Sequence, residues 1–261
     1  MYEGPKSTVF KVKCLKTGKF FALKQIFEKH RLFDQSLKEF LFSFHIKSEY
    51  LVKSFKSFKD QACFYILYEL MEMTLETFIK KFKPLKESLI VHIVNEIVKG
   101  LEVIHCNNRI HRDLKPANIF IDSEGRVKIG DFGEIGESYE DSCLRNSMLG
   151  TPMYMAPEIF QQREYNYLVD IWSLGITIVE LTDSPIYEPK NIQDLIKNIV
   201  SGERLKISSK YSNGLSNLVQ NCLQTNHNSR PNAKQITNHK FFRKAVNKQN
   251  AIKKKINSDV L

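Results

Sequence analysis

Apolar and polar positions alternate between Val9 and Ile26. They do so first in Val9-Phe10-Lys11-Val12 and, past a turn at Lys16-Thr17-Gly18-Lys19, again in Phe20-Phe21-Ala22-Leu23-Lys24-Gln25-Ile26. A period of two predicts two strands of a small antiparallel sheet. From Ser36 to Lys47 the period lengthens: Leu37, Phe40 and Phe44 line one face of an expected helix that also carries Glu39. Cys63-Phe64-Tyr65-Ile66-Leu67-Tyr68 is an aromatic-rich apolar run suited to a buried strand, and it breaks into Glu69-Leu70-Met71-Glu72. Between Lys86 and His105, positions 89, 90, 93, 94, 97, 98, 101 and 104 are apolar, which predicts a long amphipathic helix. Ile119-Phe120-Ile121-Asp122 and Val127-Lys128-Ile129 flank a turn at Ser123-Glu124-Gly125 and read as a hairpin. Asp170-Ile171-Trp172-Ser173-Leu174-Gly175 opens another apolar helix, expected to be buried.

Composition narrows the class. The 261 residues, 42% hydrophobic and 26% charged, suffice for a buried core in one domain or two lobes. The apolar stretch Ile171 to Leu181 carries Ser173, Thr177 and Glu180 and is too short to span a bilayer, so no membrane segment is expected. The start lacks the basic-then-apolar run of a secretory signal, and the five cysteines (14, 63, 106, 143, 222) form no C-x-x-C pair. A cytoplasmic location with free thiols is the expectation. The net charge of +10 is unevenly spread: residues 243–261 hold six Lys or Arg against one Asp, which is +5 and leaves +5 for the other 242 residues. This tail is expected to be a solvated helix or a disordered end, with nuclear access as a second use. It shows no reading surface for specific nucleic acid binding. His92 and His105 are expected to pack rather than ligate, since no Cys or His pair stands at metal spacing.

The most specific signal is His111-Arg112-Asp113-Leu114-Lys115-Pro116-Ala117-Asn118. A random chain of this length would carry its five defining residues at only about one chance in ten thousand. The stretch resembles the H-R-D-x-K-x-x-N catalytic loop of protein kinases. Further matches follow in family order. Phe21-Ala22-Leu23-Lys24 resembles V-A-I-K, Asp131-Phe132-Gly133 is D-F-G, Ala156-Pro157-Glu158 is A-P-E, and Arg230-Pro231 resembles the late R-P motif. The chain is thereby identified, from about Glu3 to Phe242, as similar to the protein kinase family. Arg145-Asn146-Ser147-Met148-Leu149-Gly150-Thr151-Pro152 is similar to PAK-like and MST-like members, and Thr151 with Lys115 favours the serine/threonine type.

The resemblance implies a bilobal α+β fold. The kinase domain would span residues 1–242, with an N-lobe sheet and one helix to about Met71 and a mostly helical C-lobe to about Phe242, followed by the basic tail 243–261. It implies transfer of the γ-phosphate of ATP to Ser or Thr of protein substrates, with Mg²⁺ as cofactor. Asp113 would accept the substrate proton and Lys115 would steady the transferring phosphoryl group, while Asn118 and Asp131 would hold the metal. Nucleotide contacts would come from Gly4, Val9, Ala22, Lys24 with its partner Glu39, the backbone of Glu69 and Met71, and Phe120, with Tyr68 as gatekeeper behind the pocket. Asp170 would receive catalytic-loop amides, and Arg230 would pair with Glu158. Arg112 would gather a phosphate on the activation segment, placed at Ser147 by an upstream kinase. The phosphate-covering loop departs from the family: alignment on Val9 puts Tyr2, Gly4 and Ser7 at its three glycine positions, and the chain starts inside the first strand, as a fragment would. That departure keeps a pseudokinase scaffold as the rival, and the Tyr68–Phe78 hinge phrase keeps a dual-specificity kinase as another.

Overall fold

The computed structural model describes residues 2–3, 7–27, 30–60, 62–137, 150–243 and 248–258. Its first part is a five-stranded sheet in the order β1-β2-β3-β5-β4, formed by β1 (Tyr2–Glu3), β2 (Ser7–Lys13), β3 (Phe20–Phe27), β4 (Ser54–Lys59) and β5 (Cys63–Glu69). All its pairings are antiparallel. The β2–β3 turn closes through Gly18, whose φ of +71° suits a residue without Cβ. Between β3 and β4 runs helix α1 (His30–His45).

Helix α1 starts six residues before the expected Ser36. Residues 30–35 contain neither proline nor glycine, so nothing in the chain stops the helix from extending backwards. The added turns matter, because the Gln35 amide donates to the Gly133 carbonyl and, at 3.0 Å, to Glu134.

The second part follows β6 (Met73–Thr74) and is mostly helical. Helix α2 (Leu75–Phe82) is capped by Thr74, and α3 (Glu87–Cys106) buries every apolar position named above. After β7 (Arg109–Ile110) come β8 (Ile119–Ile121) and β9 (Val127–Ile129), a hairpin that joins β6 in a three-stranded sheet. Strand β10 (Gly136–Glu137) pairs back onto β7. The rest is helix: α4 (Pro157–Phe160), α5 (Leu168–Leu181), α6 (Ile192–Ser201), α7 (Asn213–Cys222), α8 (Ala233–Asn238), α9 (Lys240–Arg243) and α10 (Gln249–Ser258). Helix α5 is apolar around nearly its whole circumference and lies in the middle of the larger core, as such a helix must. This arrangement is the expected bilobal α+β architecture.

Two apolar cores result. The smaller, around Ile26, Val52, Phe64, Ile66 and Tyr68, lies under the sheet; the larger fills the helical lobe. The lobes are joined at the back by backbone bonds between the segment before β4 and β9. Val52 N–H donates to the Ile129 carbonyl at 2.8 Å and Ile129 N–H to the Tyr50 carbonyl at 2.9 Å.

The tail differs from the solvated end expected of it. Ile252 and Ile256 stand four apart on α10, on one helix face, and both are buried in the larger core. Lys253 pairs with Glu124 at 2.6 Å, the Gln249 amide donates to the Glu124 carbonyl at 3.1 Å, and the Lys255 ammonium sits 4.9 Å over the Phe82 ring. Two isoleucines among so many charges make too short a stripe to read as amphipathic. Among the described residues no helix is long and apolar enough to cross a membrane.

Candidate active site

The cleft between the lobes collects the charged residues that the motifs single out. The β2–β3 register sets Val9 opposite Lys24, and the β3–β5 register sets Ala22 opposite Tyr68 and Lys24 opposite Ile66. With a period of two, these side chains share one face of the sheet. Ala22, Met71 and Phe120 pack on the smaller core from β3, the segment after β5, and β8 respectively. Gly130 keeps this slot narrow, since a Cβ there would come within 2.8 Å of Val52 and 2.9 Å of the Phe120 ring. Val9 is half-buried beside them. Gly4 lies outside the described residues.

Lys24 bridges two carboxylates. Its Nζ lies 2.8 Å from Glu39 Oε1, 3.1 Å from Glu39 Oε2 and 2.8 Å from Asp131 Oδ1. Burial opposes the ammonium charge, but the two carboxylates outweigh it and hold Lys24 above its ordinary pKa. For Glu39 burial wins, since it shares Lys24 with Asp131, and its carboxyl is pushed up. Burial would raise Asp131 too, yet the Lys24 charge prevails and its carboxyl is held down. Asp131 keeps 42% of its side chain exposed toward the cleft, and its backbone sits at φ +55°. Phe132 next to it is fully buried, with its ring 4.9 Å from Phe42 of α1 and 5.8 Å from His111.

Across the cleft floor, Asp113 is held by donors at both oxygens. Oδ1 accepts from Thr151 N at 3.0 Å and Thr151 Oγ1 at 3.1 Å; Oδ2 accepts from Lys115 Nζ at 2.7 Å and Asn118 Nδ2 at 2.8 Å. Lys115 also donates to Thr151 Oγ1 at 2.5 Å. With Nδ2 of Asn118 spent on Asp113, its carbonyl oxygen is the atom left for a cation. Beneath the loop, buried Asp170 accepts from His111 N at 2.9 Å, Arg112 N at 3.0 Å and His105 Nε2 at 2.8 Å. Burial works against this carboxylate, but His105 and the loop amides hold it below its ordinary value. Glu158 and Arg230 form the expected pair, at 2.6 and 2.8 Å.

Three contacts escaped the sequence reading. Thr151 was read as a marker of kinase type, whereas its backbone and hydroxyl both hold Asp113. Lys128 alternates in β9 like any surface lysine, yet it is buried and grips both oxygens of Glu69 at 2.8 and 2.7 Å. Glu69 N–H is donated to the Lys53 carbonyl. The Tyr68 phenol reaches Glu39 at 2.7 Å. Thr151 and Tyr68 lie in motifs that flag them for other roles, and Lys128 has none. Ser147, with the competing Ser138, Tyr139 and Ser142, lies outside the described residues.

An apolar slot, a lysine joined to two carboxylates and a fully donor-bound aspartate lie together here, and residues 2–242 match the protein kinase domain family model. The chain belongs to the protein kinase domain family. Curated relatives from Dictyostelium discoideum include serine/threonine-protein kinase 4 homolog B, 33% identical over 94% of this chain and 22% of its own length. Serine/threonine-protein kinase dst2 is 35% identical over 92% of this chain and 22% of its own, and serine/threonine-protein kinase 4 homolog A is 31% identical over 93% and 54%. The chain thus spans between about a fifth and about half of the length of these relatives. Their serine/threonine character agrees with Lys115 and Thr151, and with the PAK-like and MST-like resemblance.

Proposed function

We propose that the chain transfers the γ-phosphate of ATP to serine or threonine hydroxyls of proteins. The observation that carries this reading is the environment of Asp113. A carboxylate offers about four acceptor directions, and all four are taken by protein donors. An incoming hydroxyl must displace one of them. Thr151 Oγ1 is the most replaceable, being the longest contact, and its oxygen still accepts from Lys115 when its own hydrogen turns away. The substrate hydroxyl then lies against Oδ1, ready to give up its proton, while Lys115 on Oδ2 stays poised for the phosphoryl oxygens. The hydroxyl of Thr151 would thus keep the base oriented until substrate arrives.

The oxygen donors of Asn118 and Asp131 fit Mg²⁺, which takes one or two protein ligands and completes its shell with phosphates and water. When bound there it would neutralise charge developing on the phosphates. Ala22, Met71, Phe120 and Val9 would enclose adenine, with the Glu69 carbonyl and the Met71 backbone at its edge, Gly4 over the phosphates, and Lys24 on them, held by Glu39. The test is a phosphorylation assay of the purified chain on a degenerate peptide array with Mg-ATP. Transfer to Ser and Thr peptides is expected from the native chain, and less than about one per cent of it from Lys24→Met and from Asp131→Asn. Full-rate Asp131→Asn protein would move the metal elsewhere, and an inactive native chain would favour a scaffold.

Activation by phosphate on Ser147 belongs to the same proposal. The Arg112 guanidinium lies against the backbone of Gly136 and 5.8 Å from the Tyr165 ring, at the described start of the activation segment. A phosphoserine adds about −1.5 to −2 charges and pairs well with a guanidinium. Ser147→Ala should cut activity at least about tenfold, and Arg112→Ala should add nothing to it, since both remove one interaction. Mass spectrometry that finds Ser147 unmodified in fully active protein would refute this.

A further inference from the structure

Helix α1 must present Glu39 to Lys24, yet its apolar grip is partial. Leu37 and Phe40 pack on the smaller core and Phe42 on Phe132 of the lower lobe, whereas Leu41 and Phe44 are 42% and 44% exposed. Buried polar contacts add to the hold of α1 on the sheet. Ser43 Oγ, one turn after Glu39, donates to the Glu39 carbonyl at 2.9 Å and meets Ser54 Oγ of β4 at 2.9 Å; both serines are at most 2% exposed. Glu39 itself takes Lys24 from β3 and the Tyr68 phenol from β5, the latter on Oε1 at 2.7 Å. Three neighbouring strands therefore each hold α1 through a hydrogen bond.

These links differ in what the reaction asks of them. In the present state Lys24 divides its ammonium between Glu39 and Asp131. In phosphotransfer it must serve phosphate oxygens as well, and its attraction for Glu39 is spread over more negative groups. The Tyr68 hydroxyl has no such second duty. It is a single donor in a buried site, aimed at one carboxylate oxygen, and hydrogen bonds to a charged group are among the stronger ones in proteins. Burial, and then the charge of Glu39, raise the phenol well above its ordinary pKa, so it remains a donor.

We propose that Tyr68 is a positioning residue, whose hydroxyl holds Glu39 inward while the nucleotide phosphates engage Lys24. The inference rests on the phosphotransfer reading and assigns the gatekeeper position a part in turnover. Without the hydroxyl, the Glu39 carboxylate keeps Lys24 as its one hydrogen-bond partner among the described residues, at the moment when Lys24 is most shared. The rotamer of Glu39 and the seating of α1 then loosen together.

The test is Tyr68→Phe, which keeps the ring and removes only the oxygen. Its kcat should fall about tenfold while the KM for ATP changes less than about twofold, the mark of an interaction used in the transition state. Hydrogen exchange of α1 amides 38–45 should quicken, with the helical lobe unaffected. In a Glu39→Gln background the same substitution should cost no further activity. A merely structural hydroxyl would lower the unfolding temperature in both backgrounds and leave kcat alone. Native kcat with native α1 exchange in Tyr68→Phe overturns the proposal, as do losses that multiply in the double variant. An inactive native chain instead defeats the phosphotransfer reading; α1 exchange in the nucleotide-free protein then decides the Tyr68 contact, unchanged exchange overturning it.

Discussion

Asp113→Asn is expected to lower turnover by about three orders of magnitude while nucleotide affinity stays within about threefold. The geometry makes this more than the loss of a base. Thr151 donates to one oxygen, and Lys115 and Asn118 donate to the other. An asparagine can accept on one side only, so its amide nitrogen must face donors on the other. The floor of the site would then reorganise around Thr151 or around Lys115, and the substrate hydroxyl would meet no acceptor in line. The proposed nucleotide contacts come from β2, β3, the end of β5 with the segment after it, and β8, and Asp113 lies on none of these. Single-turnover phosphotransfer, with nucleotide titration by calorimetry, checks both halves, and undiminished turnover would remove Asp113 from its role.

Arg230→Met should be the most damaging change to stability, costing about 3–5 kcal/mol, because it strands Glu158 as a buried charge. Glu158 and Arg230 are 3% and 4% exposed, and the guanidinium also lies 5.1 Å over the Trp172 ring. It donates further to the carbonyls of Leu168 and Gln224 at 3.1 and 2.8 Å. In a chain of this size such a loss corresponds to a fall in melting temperature on the order of 10 °C. Removing both charges in Glu158→Leu with Arg230→Met should recover part of it, since no lone charge remains, though two carbonyls still lack their donor. Thermal unfolding followed by circular dichroism gives both numbers, and a double variant less stable than Arg230→Met alone would contradict the argument.

The lobes and most cleft residues were legible through the resemblance to protein kinases, and short local rules place the elements that carry them. Alternation in β2 and β3 put Val9, Ala22 and Lys24 on one face, and the stripe of α1 carried Glu39 to meet Lys24. The His111–Asn118 stretch is a compact signature whose geometry follows from its own residues and Asp170. What stayed hidden depends on contacts between segments far apart in the chain. Lys128 looks solvated in its strand, and only the return of β5 brings Glu69 to bury it. Tyr68 and Glu39 are 29 residues apart on elements of different period, so no pattern joins them. The apolar part of the docking of α10 rests on Ile252 and Ile256, with polar contacts to Glu124 more than a hundred residues earlier, and two isoleucines in a charge-rich tail form no readable stripe. The extra turns of α1 were missed because a helix with no breaker runs on until packing ends it.

The backbone bonds from residues 50–52 to β9, and the grip of Lys128 on Glu69, also have a mechanical meaning. Both tie the lower lobe to the β4–β5 side of the sheet, while β1 and β2 form its opposite edge. Toward the cleft, Lys24–Asp131 and the contacts of Gln35 and Phe42 with residues 132–134 tie the lobes as well. Any rocking of the upper lobe must therefore pivot at β9, with the sheet as its lever. At about 4.8 Å per strand, β1 stands three spacings from β5, a lever arm of about 14 Å. A rotation of about 10° then displaces the β1–β2 edge by about 2.5 Å while the pivot hardly moves. Under the proposed function, nucleotide would enter and leave below that edge as the Lys24–Asp131 pair and the Gln35 and Phe42 contacts of α1 yield.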